Sequence, residues 1–182
     1  MLLERFNREP SEKTLARIKA LGHTILEHLS EPISGARDLL RWASRRFTLA
    51  LLTRGDDDFQ KRKLKHVRFL HYFDLVRVVL RKDAHTFKQI MDELEYSPEK
   101  TWIIGDSIKS DINPAIETGA NCLLYVYHHR KYSWLQEYGY PPIGPFYKVR
   151  SLTEIEAVLR TPSSFQMVRD FGHSALTIKD TV

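Results

Sequence analysis

Short apolar runs alternate along the chain with stretches in which apolar residues recur every three or four positions. The runs predict strands buried on both faces of a sheet, and they lie at 47–52, 75–80, 101–104 and 121–127. The periodic stretches predict amphipathic helices, and they lie at 11–29, 35–45, 58–70, 86–95, 111–118 and 154–160. Strands that alternate with helices in this way predict a three-layer α/β/α fold built on an open parallel sheet.

Polar residues follow the first two predicted strands at the positions where such sheets bind ligands, beyond the carboxyl ends of the strands. Thr53, Arg54 and Gly55 follow the first strand, where a hydroxyl and free backbone amides at a helix entrance suit a phosphate. Lys82 follows the second strand, where an ammonium group could neutralise a phosphoryl group. Taken singly, each residue also fits an ordinary helix cap or a surface position.

The third strand end carries two carboxylates in the segment from Gly105 to Ile112. Asp106 follows the strand directly, and Asp111 comes five positions later at the entrance of the next helix. Magnesium binds oxygen ligands and retains several waters, so Asp106 could ligate a metal while Asp111 orients a water or holds Lys82. A turn aspartate followed by an N-capping aspartate would give the same pattern.

Together the three strand ends resemble the haloacid dehalogenase superfamily. That family has a Thr or Ser after its second core strand, a Lys before a later helix and a Gly-Asp-x-x-x-x-Asp loop after its fourth core strand. Thr53, Lys82 and the segment from Gly105 to Asp111 follow this order. The resemblance covers about residues 30–160 and implies a Rossmann-like sheet with a helical cap.

The resemblance implies a magnesium-dependent phosphatase that acts on a small phosphorylated metabolite. The side chains that it implies as catalytic are Thr53, Lys82, Asp106 and Asp111. Those that it implies as phosphate-binding are Thr53, Arg54, Gly55 and Lys82, and as metal ligands Asp106 and Asp111. A dehalogenase of the same family is the lesser alternative, because the acidic loop is of the phosphatase type.

The nucleophile motif of that family has no counterpart ahead of Thr53. Members begin with an apolar strand that ends in Asp-x-Asp, whose first aspartate attacks the phosphoryl group. Asp38 is the only aspartate before Thr53, and it lies in a predicted helix. The run Asp56-Asp57-Asp58 lies on the loop after Thr53 and would leave the second motif unfilled. We therefore expect either a truncated product, with the motif ahead of Met1, or a non-catalytic phosphate- or partner-binding module.

The missing strand has a consequence for the sheet. In the family it is central, flanked by the strands predicted here at 47–52 and 101–104. Unpaired buried backbone groups are costly. We therefore predict that these two strands either pair directly or borrow a strand from another chain, as in a strand-sharing homodimer.

The same resemblance divides the chain into three parts. Residues 1–31 are predicted to be the remnant of a helical cap, residues 32–160 the core, and residues 161–182 a polar, poorly ordered tail. Because the cap supplies much of the substrate specificity in this family, the substrate stays open.

The net charge and the distribution of apolar residues limit the kinds of partner that the chain is expected to bind. The chain has 28 basic and 23 acidic side chains, for a net charge of +5. Part of the excess lies at 61–68, where Leu64 and Val67 interrupt the basic run at helical spacing, so a solvated helix face is predicted rather than a nucleic-acid site. The chain has neither a signal-type segment nor an apolar run of roughly 18 residues, which predicts a cytoplasmic protein without a membrane partner.

The single cysteine, Cys122, lies within an apolar predicted strand. One cysteine forms no internal disulfide and no thiolate zinc cluster. Reactive thiolates need accessible, electropositive surroundings. We predict a buried structural cysteine.

Overall fold

The computed structural model describes residues 11–27, 32–126 and 140–168. Its strands are β1 (Ala50–Arg54), β2 (Leu75–Val79), β3 (Trp102–Gly105), β4 (Asn121–Tyr125) and β5 (Tyr147–Val149). Its α-helices are α1 (Glu12–Glu27), α2 (Ala36–Ala43), α3 (Asp57–Lys65), α4 (Ala84–Glu93), α5 (Asn113–Thr118) and α6 (Leu152–Arg160). A π-helical turn spans Ile108–Ile112, and 3-10 turns lie at Leu70–Tyr72, Pro98–Lys100 and Pro162–Ser164.

The strands form two parallel sheets. β1 pairs with β2, so that Ala50 lies opposite Leu75. β3, β4 and β5 form the second sheet in that order, with Trp102 opposite Asn121. Among the described residues no strand joins β1 to β3. The direct pairing of 47–52 with 101–104, the first of the two predicted arrangements, is therefore wrong.

Helices cover both faces of these sheets. On one face, Phe87 of α4 belongs to a cluster that contacts Leu52 of β1 and Ile103 of β3, so α4 spans the gap between the sheets. On the other face, Ile155 of α6 packs with Leu123 of β4, which is fully buried. The predicted three-layer α/β/α arrangement is confirmed.

The element types agree with the sequence pattern, while several boundaries differ. β1 begins at Ala50 and runs through Thr53 and Arg54, which were predicted to lie in the following turn. The helix predicted from residue 111 begins earlier, as the π-helical turn, and ends at Gly119 in a left-handed conformation with φ +82°. A glycine at this position avoids the cost that a Cβ would bring.

Two parts of the chain near its carboxyl end were not predicted. The short strand β5 pairs with β4 and extends the second sheet. In the predicted tail, Val168 forms an isolated antiparallel bridge with Phe146, and residues 169–182 lie outside the described residues. No helix in the described ranges is both long and apolar enough to cross a bilayer.

The predicted cap remnant corresponds to α1. Its apolar stripe is exposed, with Leu15 at 42%, Ile18 at 54% and Leu21 at 65% of full accessibility. The three-part division of the chain stays a prediction.

Cys122 lies in the core of the second sheet and is 2% exposed. Its thiol donates a long hydrogen bond to the carbonyl of Pro145, at 3.6 Å. Burial raises the pKa of Cys122 to about 11, because the thiolate would lose its hydration. The prediction of a buried structural cysteine is confirmed.

Candidate functional site

Residues that follow β1, β2 and β3 meet at the carboxyl ends of the two sheets. Lys82, which follows β2, contacts Asp111 in the turn after β3, with 2.8 Å between Nζ and Oδ1. Arg54, the last residue of β1, reaches the hydroxyl of Ser110 in the same turn, at 3.5 Å. The sheets are thus connected by polar contacts at the edge where open parallel sheets bind ligands.

The Lys82–Asp111 pair is largely withdrawn from solvent. Asp111 is 3% exposed, and the side chain of Lys82 is 20% exposed. The second carboxylate oxygen of Asp111 accepts a hydrogen bond from the backbone N–H of Ser107 at 3.1 Å. An ammonium group has three donors, and one partner is found for Lys82 among the described residues, which leaves donors for an anion.

Gly105 makes room for Asp111. A Cβ at position 105 would lie 2.2 Å from Cγ of Asp111, far inside contact distance. The absence of a side chain therefore lets the buried carboxylate lie against the end of β3. The sequence pattern Gly-Asp-x-x-x-x-Asp contains this requirement, although the contact itself is not apparent from the sequence.

The turn that carries Asp111 is held by Ser107. Its hydroxyl accepts from the N–H of Ser110 at 3.1 Å, and its carbonyl accepts from the N–H groups of Asp111 and Ile112. π-helical turns of this kind occur frequently at functional sites. The turn is anchored in the core, since Ile108 and Ile112 are both buried.

Lys82 is positioned by the start of α4. Asp83, the next residue, caps this helix by accepting from the N–H of Thr86 at 2.9 Å. That hydrogen bond, supported by the hydroxyl of Thr86, lowers the pKa of Asp83 below its ordinary value. The cap fixes where the chain leaves β2, and thereby where the Lys82 side chain begins.

The phosphate-binding residues predicted after the first strand have partners of their own. The Thr53 hydroxyl lies 3.4 Å from the side-chain oxygen of Gln60, whose nitrogen donates to the Arg54 carbonyl at 3.3 Å. The N–H of Gly55 donates to the Val79 carbonyl at 3.1 Å, so this amide is not free as expected. The role of Gly55 in phosphate binding stays a prediction. Gln60 was missed, because a polar residue on a helix has no distinguishing pattern.

Asp106 differs from Asp111 in being exposed. A magnesium ion is commonly held by one or two carboxylates together with waters and substrate oxygens. Asp106 fits that description, whereas Asp111 would have to exchange one of its two contacts to become a ligand. The described residues contain no group of three or more His, Cys, Asp or Glu side chains poised around a metal. The metal-ligand assignments stay predictions.

The segment from 140 to 143 borders the acidic turn. The ammonium of Lys109 lies 4.2 Å from the ring centroid of Tyr140, a cation–π contact. Asn113 donates to the carbonyl of Pro141 at 3.0 Å and accepts from the N–H of Ile143 at 3.2 Å. Asn113 thus holds residues 140–143 against the start of α5 through two hydrogen bonds. The sequence pattern did not predict this role.

Asp56, the first residue of the acidic run after Thr53, is occupied as a helix cap. Its carboxylate accepts from the N–H of Phe59 at 2.9 Å. Asp57 pairs with Lys61 at 2.6 Å along α3. Both contacts are those of an ordinary helix start, in keeping with the inference that this run is not the nucleophile motif.

Comparison with known proteins gives the family. A model of the haloacid dehalogenase-like hydrolase family matches residues 1–125. A solved haloacid dehalogenase-like hydrolase from Xanthomonas campestris is 23% identical with a TM-score of 0.71, covering 87% of this chain and 66% of its own. A magnesium-bound putative hydrolase from Bacillus subtilis is 21% identical with a TM-score of 0.65, and the match covers 87% of this chain and 67% of the Bacillus protein.

A third solved structure, a predicted phosphoglycolate phosphatase from Haemophilus somnus, is 14% identical with a TM-score of 0.63, covering 86% of this chain and 72% of its own. A search of curated proteins found no match. At these identities the structures show a shared fold alone. The chain spans just under two thirds of the Xanthomonas protein, 66% of its length. Since the family model matches well over half of the residues, the chain belongs to the haloacid dehalogenase-like hydrolase family.

Proposed function

We propose that the site at the strand ends binds the phosphoryl group of a small phosphorylated metabolite together with Mg²⁺, and that this chain alone does not hydrolyse it. The observation that carries the proposal is the buried Lys82–Asp111 pair, held at 2.8 Å where the two sheets meet. The contact fixes the ammonium group in place and leaves donors on it for a phosphate oxygen.

The surroundings of Lys82 favour a dianionic group. Arg54 lies at the same edge, and its contact with Ser110 is long enough, at 3.5 Å, to be exchanged for a phosphate oxygen. The hydroxyl of Thr53 donates to Gln60 at 3.4 Å, a contact long enough to be exchanged for a phosphate oxygen. Cations and hydroxyls at one sheet edge are typical of phosphate recognition.

Magnesium binding would rest on Asp106, the exposed carboxylate after β3. A magnesium ion bound there would neutralise charge on the phosphoryl oxygens. Support from the relatives is that one solved structure is described as bound to magnesium and others are described as phosphatases. What this chain's own residues do is bind and orient the phosphoryl group.

The absence of turnover rests on the sequence. Ahead of Thr53 there is no Asp-x-Asp, and the run Asp56-Asp57-Asp58 begins with a helix cap. Without a carboxylate nucleophile the covalent step has no first bond to form. For residues 1–182 we therefore propose phosphate binding without turnover.

The test combines binding and turnover on the same preparations. Binding of inorganic phosphate in the presence of Mg²⁺ is measured by calorimetry for the unaltered chain, Lys82→Gln and the exposed control Lys88→Gln. We expect Lys82→Gln to weaken binding by at least about tenfold and Lys88→Gln to leave it unchanged. Equal weakening in both variants would contradict a specific phosphate contact.

Hydrolysis of p-nitrophenyl phosphate is measured alongside, with Asp106→Ala as the control. We expect no turnover above that control. Magnesium-dependent turnover that disappears in Asp106→Ala would mean that another carboxylate acts as nucleophile, with Asp56 and Asp58 the first to test. Turnover that survives both Asp106→Ala and chelation of the metal would refute the proposed site.

A further inference from the structure

Lys109 lies in the turn after β3 that also carries Asp111, and the proposed phosphate contacts do not use it. Its side chain is exposed. Its ammonium group lies 4.2 Å from the ring centroid of Tyr140, the partner found for it in the described part of the chain. Other cations at this edge contact a carboxylate or a hydroxyl, namely Arg54, Arg81 and Lys82. Lys109 differs from them because no described carboxylate or hydroxyl contacts its charge.

A cation over an aromatic ring keeps its hydrogen-bond donors. The attraction acts between the charge of Lys109 and the π face of Tyr140, which leaves the N–H groups of the ammonium for a ligand. The Tyr140 side chain is 45% exposed, so a ligand can reach the pair from solvent. A lysine side chain ordinarily loses much rotamer entropy when it binds a ligand. The ring restricts Lys109 in advance, which reduces that loss.

The ring of Tyr140 is itself held beside the turn by the residues that follow it. Asn113 donates to the carbonyl of Pro141 at 3.0 Å and accepts from the N–H of Ile143 at 3.2 Å. Gly144 is buried, and a Cβ at its position would lie 2.8 Å from a side chain of α5. This segment therefore packs closely on α5, and the place of the ring relative to the turn is set by the fold.

Lys109 and Lys82 lie on different sides of the acidic turn. Asp111, to which Lys82 donates, lies against Gly105 at the end of β3. Lys109 lies instead against Tyr140, in the segment that leads to β5. A helical turn with its side chains is about 10–12 Å across, so the two ammonium groups are separated by roughly 10 Å. A small metabolite with an anionic group at each end can span this distance.

We propose that Lys109 binds a second anionic group of the ligand whose phosphoryl group lies at Lys82. The substrate class is then metabolites that carry a carboxylate or a second phosphoryl group besides the first. Both groups offer oxygens that accept charge-assisted hydrogen bonds from an ammonium group. This inference rests on the proposed phosphate site and extends it to the rest of the ligand. Tyr140 is a positioning residue, since it acts through Lys109.

The test uses ligands that share one six-carbon chain, namely hexyl phosphate, 6-phosphonooxyhexanoate and hexane-1,6-diyl bisphosphate. Calorimetry in the presence of Mg²⁺ at low ionic strength gives the dissociation constant of each for the unaltered chain. We expect one or both of the doubly anionic ligands to bind about fivefold more tightly than hexyl phosphate. A gain for the carboxylate alone, or for the bisphosphate alone, identifies the second group.

Lys109→Gln removes the charge and leaves the contacts of Lys82 in place. We expect this variant to lose the preference for doubly anionic ligands, while its affinity for hexyl phosphate stays within about twofold of the unaltered chain. The control is Lys88→Gln, an exposed lysine on α4, which should keep the preference. Tyr140→Leu should reduce the preference to about twofold, and Tyr140→Phe, which retains the ring face, should keep it.

The results separate this inference from the phosphate site on which it rests. The inference is overturned, and the phosphate site stands, if hexyl phosphate binds through Lys82 but a second anion adds no affinity. The same holds if the second anion adds as much in Lys109→Gln as in the unaltered chain. If hexyl phosphate does not bind, or binds equally well to Lys82→Gln, the phosphate site is wrong and the inference falls with it. Equal preferences in Tyr140→Leu and Tyr140→Phe would overturn the positioning role of the ring.

Discussion

The two sheets of this molecule differ in how completely their strands are buried. In β4 the three central residues, Cys122 to Leu124, are at most 3% exposed. In β1 no residue is fully buried, although Leu51 and Leu52 are as apolar as their counterparts in β4. Among the strands that the structure describes, β4 has a neighbour on each side and β1 on one side only. Burial of a sheet residue thus depends on its neighbours as much as on its own hydrophobicity.

β3 shows the same effect within the second sheet. In the described part of the chain it pairs with β4 alone, and Ile104 is 42% exposed despite belonging to a parallel strand. Parallel strands are ordinarily buried on both faces and on both edges. Among the described residues, the apolar side chains of β1 and β3 are therefore less buried than their sequence predicts.

The largest expected effect compares one leucine from each sheet. Leu123→Ala removes a fully buried side chain and should lower the free energy of unfolding by about 3 kcal/mol. Leu51→Ala removes a half-buried side chain of β1 and should lower the free energy of unfolding by about 1 kcal/mol. Urea titration followed by circular dichroism measures both. Equal losses would mean that the first sheet is as tightly packed as the second.

The next effect concerns the contact that connects the sheets. Asp111→Asn leaves the Lys82 ammonium group without its charged partner and should lower the free energy of unfolding by about 2 kcal/mol. The matched control is Asp57→Asn, which breaks an exposed pair with Lys61 and should leave the free energy of unfolding almost unchanged. Thermal unfolding of the two variants gives the comparison. A loss as small for Asp111→Asn as for Asp57→Asn would show that the buried pair does not connect the sheets.

The last comparison concerns how fast a thiol reacts in each of the two sheets. Because its pKa is raised to about 11, Cys122 should react with a disulfide reagent at pH 8 at least about 100-fold slower in the native than in the unfolded chain. An Ile104→Cys thiol in a Cys122→Ala background should react at a rate close to that of the unfolded chain. Similar native rates for both thiols would remove the difference in access between the two regions.

The raised pKa of Cys122 also predicts how the free energy of unfolding changes with pH. The unfolded thiol ionises at about 8.5, below its folded value. The stabilisation of the neutral thiol by the folded state is therefore complete below pH 8.5 and declines as the pH rises toward about 11. The decline in stability over this range should be smaller in Cys122→Ala, as measured by urea titration at each pH.

Much of the fold could be predicted from the sequence, because apolar runs and periodic stretches are local signals. The runs at 75–80 and 101–104 correspond to β2 and β3 within one or two residues. β5 was missed, since Tyr147–Val149 has three residues and no distinct apolar run. Its stability comes from pairing with β4, which is not visible in a local pattern.

The site could be predicted in part. Lys82, Asp106 and Asp111 were identifiable because each follows a strand of the sheet. The contacts of Gln60 and Asn113 could not be predicted, because their partners are distant in the sequence pattern and are brought close only by the fold. The direct pairing predicted for 47–52 and 101–104 was wrong: α4 packs against both strands instead, and such packing across the domain is not visible in a local pattern.

The difference in strand pairing between β1 and β4 is tested most directly by the exchange of single amide hydrogens in the free protein, measured by NMR at neutral pH. In β1, the amides of Leu51 and Thr53 should be protected by bonds to β2, while those of Leu52 and Arg54 should exchange at least about tenfold faster. In β4, Leu123 and Leu124 should be protected alike, since β3 and β5 pair with this strand on its two sides. Equal protection of neighbouring amides along β1 in the free, monomeric chain would contradict pairing of this strand on its β2 side alone.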